Sequence, residues 1–236
     1  MKRWRRWVVA PAVIAVAGLS FLAGPAVAKA NPVPPNSKAF GHSLSDWMTR
    51  YFEQAFGRTP TDNGKRVVPL PLPAGDCVGG SFTSSDPSTC VGHVDVALKS
   101  GTPFLLPIAA WYGESYNNGL PDDAPLSASV FTGSHVLIQL DGSTLIDSNV
   151  DDLSRWYFGP NFFVPPIVYS QPTDYGSISA NFVQGLGMTS HPLSLGLHHL
   201  SLKSEIIAFV PNYHGPGVPL DVGVKYENSW DITITT

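Results

Sequence analysis

From Leu44 onward the apolar positions fall at helical spacing. Leu44, Trp47, Met48, Tyr51, Phe52, Ala55 and Phe56 follow at i, i+3, i+4, i+7, i+8, i+11 and i+12, so they share one face. Ser43 with Asp46 three residues later predicts a capping box, and Gly57 supplies a stop. The spacing therefore predicts an amphipathic helix over about 43–56, whose aromatic stripe needs a sheet to bury against.

Beyond Gly57 the period changes. Short apolar or alternating runs at 66–70, 93–98, 103–110, 127–130, 136–140, 143–147, 162–168, 196–203, 205–210, 221–226 and 230–235 read as strands, separated by Gly, Pro, Asn and Asp. The clearest local signal is His135 to Asp147, where Asp141-Gly142 between two such runs predicts a type I′ hairpin. No repeat or long linker divides the chain after residue 30. The expectation is one all-β domain over 31–236, an antiparallel β-sandwich of Ig-like or jelly-roll-like kind, with the single N-terminal helix packed against it.

The first thirty residues have a different pattern: a basic head Met1–Trp7, an apolar stretch Val8–Leu22 and a small-residue tail Ala23–Ala30. This is the layout of an export signal, with cleavage after Ala28 or Ala30. The stretch is short for a membrane anchor and is broken by Pro11 and Gly18. Arg5-Arg6-Trp7-Val8-Val9 also satisfies the core of a twin-arginine signal, so either export route fits the head. No Cys follows the apolar stretch to accept a lipid. A secreted product without stable membrane association is expected, and the absence of an Asn-x-Ser/Thr sequon favours a bacterial source.

Charge sharpens this picture. Five of the 14 Lys and Arg lie within residues 1–30 and all 18 Asp and Glu lie beyond them, so the remainder carries a net charge of −9. Such a surface repels phosphate backbones and anionic lipid, which excludes nucleic acid and leaves extracellular carbohydrate or protein as partners. The two cysteines, Cys77 and Cys90, flank a Ser-rich loop and are expected to form a disulfide in an oxidising compartment.

The richest polar stretch is Trp111 to Asp123, read as a loop after a core strand. Trp111, Tyr112, Tyr116 and Asn118 are residue types that stack on and hydrogen-bond to sugars, which marks them as candidates for ligand binding. Glu114 with Asp122 or Asp123 could serve as an acid/base pair for hydrolysis, and Asp122 and Asp123 could also meet calcium. The plainer reading is that Asn118-Gly119 and Pro121-Asp122 form turns and the acids are solvated. A second cluster, Asp147, Asn149, Asp151 and Asp152 with Arg155, reads as a turn or helix cap.

No His-x-x-x-His, Cys-x-x-Cys or Gly-x-Ser-x-Gly motif is present, so no metal, cofactor or nucleophile is expected. Adjacent His198 and His199 point to opposite sides of a strand, and Gly185 and Gly187 read as turn or bulge residues.

Pro192 to Leu202, with Gly196 and His198, resembles the Leu-x-x-Gly-x-His turn-to-strand pattern of bacterial Ig-like β-sandwich domains. Gly101 to Tyr116 with Asn118 to Asp123 is similar to a group of uncharacterised secreted bacterial proteins that pair an early aromatic helix with such strands. That resemblance implies a fold and no established activity. The expectation is an exported protein, non-enzymatic, with a carbohydrate or cell-wall binding module and an extracellular hydrolase as the alternatives.

Overall fold

The computed structural model of the protein describes residues 32–58, 67–73 and 75–236; the export-signal reading therefore lies outside the described residues. The chain is mostly β, arranged in two open sheets. Its strands are β1 (Val68–Pro69), β2 (Gly75–Val78), β3 (Ser88–Lys99), β4 (Phe104–Tyr116), β5 (Val136–Leu140), β6 (Ser143–Asp147), β7 (Tyr157–Val168), β8 (Ser177–Thr189), β9 (Gly196–Val210) and β10 (Leu220–Thr235). Sheet one has the order β1-β4-β8-β7 and sheet two the order β2-β3-β10-β9-β5-β6.

The sheets are mixed, which corrects the expectation of a purely antiparallel fold. β3 and β10 run parallel over twelve residue pairs, from Ser88 opposite Val224 to Lys99 opposite Thr235, and β1 runs parallel to β4. Parallel neighbours far apart in sequence carry no local turn signal, so alternation alone does not reveal their direction. Three further expectations change. The segment 127–130 contributes to a short helix, α2 (Ser129–Thr132), instead of a strand. β8, where no strand is expected, passes through Gly185 and Gly187, and the pairing is irregular beside both, between Pro107 and Ala109 on β4 and between Phe158 and Asn161 on β7. β9 and β10 each run unbroken where the sequence suggested two strands.

Burial explains the architecture. In β3, β9 and β10, even-numbered residues such as Cys90, His198, Leu200, Leu202, Trp230 and Ile232 point inward and odd-numbered residues point out. Leu200, Leu202, Trp230 and Ile232 of this set join Phe104, Leu106, Ile108, Leu186 and Met188 of sheet one, together with Phe131 of α2, in the main core. The opposite face of sheet one packs on α1 (Leu44–Ala55) through Leu44, Trp47, Met48, Tyr51 and Phe52. Ser43 and Asp46 form a capping box at the helix start. Gly187 is needed beneath the helix, because a Cβ there would lie 2.0 Å from the Met48 terminal methyl. Among the described residues no helix is long and apolar enough to cross a membrane.

Candidate functional site

The stretch from Trp111 to Asp123 is half strand: β4 continues to Tyr116, and only the remainder is loop. Irregular pairing with β8 between Gly113 and Glu114 reorients the strand. Gly113 permits this, since a Cβ there would run into the Phe182 ring at 2.0 Å.

Glu114 is buried, and its Oε1 accepts hydrogen bonds from Tyr169 Oη at 2.8 Å and Ser177 Oγ at 2.7 Å. The loop returns so that the Asp123 N–H donates to the Glu114 carbonyl at 2.9 Å. Asp123 Oδ2 in turn accepts from the Glu114 N–H and from Tyr116 Oη, each at 3.0 Å, while Oδ1 lies 2.7 Å from His214 Nε2. Glu114 and Asp123 thus share one buried network. Asp122 stays exposed on the loop outside it.

The phenols of this network are held in the donor form. Burial first, then the charge of Asp123 and the hydrogen bond to it, pushes Tyr116 well above the usual phenol range. Burial and the hydrogen bond to Glu114 do the same for Tyr169. Tyr112 is pushed up to about 12 by burial, then by the neighbouring Tyr175 and Glu114. Each phenol therefore remains protonated at physiological pH, able to donate a hydrogen bond and unable to add charge.

The other candidate residues occupy separate places. Trp111 packs against the main core and Tyr112 edges onto Phe56 with ring centroids 5.2 Å apart, whereas Tyr116, inside the network, meets His214 edge-on at 5.6 Å. Asn118 donates to the Tyr175 carbonyl at 3.0 Å and accepts from the Leu120 N–H at 3.2 Å, which ties the loop to the β7–β8 turn. Asp152 caps a short 3-10 helix over Leu153–Trp156 through the Ser154 N–H at 3.0 Å.

Cys77 and Cys90 are disulfide-bonded on the paired strands β2 and β3. They form part of the wall of a cleft of about 380 Å³. The cleft lies beside β4, past the point where β1 stops: β1 pairs only with Phe104 and Leu105. Ile108, Ala110 and Tyr112 form the β4 wall; Leu202, Val224, Tyr226 and Asn228 face it from β9 and β10. Phe52 of α1 and Phe82 of the β2–β3 loop also line it. Among the described residues its polar side chains are two phenols and an amide, and no Asp, Glu, Lys, Arg or His lines it. Burial also raises the Tyr226 phenol, so that wall stays neutral too.

Sequence reasoning did not single out Tyr169, Ser177 and His214 in the network, or Val224, Tyr226 and Asn228 in the cleft. Each reaches its site through long-range strand pairing or a distant loop, and none sits in a local motif.

His198 turns inward, as the alternation of β9 requires. Nδ1 lies 2.7 Å from Asp141 Oδ2, and Nε2 lies 3.0 Å from the Ser194 carbonyl and 3.3 Å from Ser194 Oγ. The order Ser, His, Asp resembles a nucleophilic triad, but the Ser194 carbonyl is the nearer partner of Nε2. The ring pins the β5–β6 turn to the start of β9. Replacing His198 with Ala is expected to cost about 2 kcal/mol in urea unfolding; a loss below roughly 0.5 kcal/mol would show that the ring ties nothing.

No known protein-family model, curated protein or solved structure matches the chain.

Proposed function

We propose that the protein is exported and binds a small, uncharged, mainly apolar molecule in the cleft beside β4, between two sheets stacked as a sandwich. One observation carries the reading: a cavity of about 380 Å³ whose lining, among the described residues, is apolar apart from two neutral tyrosines and one asparagine. Its volume falls in the range of small-molecule sites. A charged ligand group inside would be desolvated without a counter-charge, which costs far more than apolar contact returns. The phenols of Tyr112 and Tyr226 and the Asn228 amide offer the polar partners, which suits a ligand with a single hydroxyl, carbonyl or ether oxygen. The leader-like head, the net acidity and the Cys77–Cys90 disulfide support export.

The test is a titration with N-phenyl-1-naphthylamine, a neutral probe that brightens in apolar surroundings. Saturable binding is expected. Val224→Trp, which fills the cleft from the β10 wall, should weaken it by about tenfold or more while leaving the far-ultraviolet circular dichroism unchanged, since that loss corresponds to about 1.4 kcal/mol of lost contact. Equal affinity in the filled variant would refute the cleft as the site.

A further inference from the structure

We propose that His93, Asp95 and Asp231 form a divalent-cation site, suited to zinc, on the outer face of sheet two, with His199 supporting it from the neighbouring strand. The site is independent of the cleft, which lies on the inner side of the same sheet.

The register builds it. In the parallel pair β3–β10, Asp95 stands directly opposite Asp231 and His93 opposite Ser229; in the antiparallel pair β9–β10, His199 stands opposite Asp231. All four are odd-numbered, so their side chains share the outward face. Two carboxylates placed directly opposite each other repel, and this arrangement costs stability unless a cation sits between them.

The distances match ligation better than direct hydrogen bonding. His93 Nε2 lies 3.5 Å from Asp95 Oδ1 and 3.8 Å from Asp231 Oδ2. Both exceed the N–H···O range. Ligand atoms about 2.0–2.2 Å from a tetrahedral zinc lie about 3.3–3.6 Å from one another, so small side-chain adjustments close the shell. The three ligand atoms already lie within 4.8 Å of one another.

The surrounding bonds orient the ligands. His93 Nδ1 lies 2.9 Å from Ser229 Oγ. With the ring proton on Nδ1 and donated there, the Nε2 lone pair turns toward the carboxylates. His199 Nδ1 lies 2.7 Å from the other oxygen of Asp231, which leaves Oδ2 for the ion. Histidine ligands and ligating carboxylates are held by outer partners of this kind at metal sites. Two carboxylates and a neutral imidazole balance a dication, and the open outer face leaves a position for water. Mixed nitrogen and oxygen donors favour zinc over the all-oxygen preference of calcium and magnesium.

The experiment is isothermal titration of the purified chain, free of any polyhistidine tag, with zinc at neutral pH. One saturable equivalent is expected. His93→Gln and Asp231→Asn should each weaken it by about tenfold or more, and His199→Gln by a smaller factor; His191→Gln should leave it unchanged. These side chains are exposed or half-exposed, so unaltered circular dichroism will show that the variants fold. Absence of saturable uptake, or variants at His93 and Asp231 that bind like the parent, would overturn the proposal.

Discussion

Asp123→Ala is expected to lower stability by about 4 kcal/mol, because it removes a buried carboxylate and strands three donors at once. The side chain is only 1% exposed and accepts from the Glu114 N–H and Tyr116 Oη, with His214 Nε2 at 2.7 Å. A water entering the space left by the carboxylate accepts from at most two of the three donors, so at least one stays unpaired in the variant. Asp123→Asn keeps the shape but turns an NH₂ group toward one of the donors, so it should fall between alanine and the parent. Urea unfolding followed by tryptophan fluorescence measures both. A loss under about 1 kcal/mol for the alanine variant would mean that the loop after β4 is held by its backbone bonds alone.

This prediction rests on residues the sequence brings together only in part. Glu114 and Asp123 lie nine positions apart, so their proximity could be suspected from a loop that turns back on itself. Tyr169, Ser177 and His214 come from the residue just after β7, from β8 and from the β9–β10 connection, and nothing local links them to Glu114. The same division holds for the fold. The β5–β6 hairpin coincides with the runs 136–140 and 143–147, because Asp141 and Gly142 take positive φ of 50° and 74° and short-range turn chemistry decides the pairing. The parallel pairing of β3 with β10 escapes such reasoning: the partners are more than a hundred residues apart, and their alternation is equally compatible with either direction. β8 was hidden for another reason. It is buried on both faces over most of its length, so it has no polar alternation, and Gly185 and Gly187 mimic a turn. Gly185 is instead required by close approach, since a Cβ there would lie 2.1 Å from the Ala109 carbonyl oxygen. The cation site was missed because its histidines lie far apart in sequence and meet only through strand register.

The Cys77–Cys90 bond links stability to the cleft, and replacing both cysteines with Ser is expected to cost about 3 kcal/mol and to weaken probe binding several-fold. The stability term follows from the thirteen-residue separation, which the crosslink closes in the unfolded chain. The binding term follows from position. β2 is a four-residue edge strand, and both cysteines and Phe82 of the intervening loop belong to the cleft wall. The tip of that loop has its own anchors: the Gly223 N–H donates to the Phe82 carbonyl at 2.8 Å, and the Ser84 N–H donates to Asp221 Oδ1 at 2.7 Å. Gly223 admits the tip, as a Cβ there would lie 2.0 Å from the Thr83 carbonyl oxygen. With the tip pinned at β10, losing the crosslink frees chiefly the β2 edge, so the wall loosens without the hairpin leaving the sheet. Urea unfolding of the double variant beside its N-phenyl-1-naphthylamine titration separates the two effects. Lost stability with unchanged affinity would show that the cleft does not depend on β2, and unchanged stability would show that the unfolded loop was already constrained without the bond.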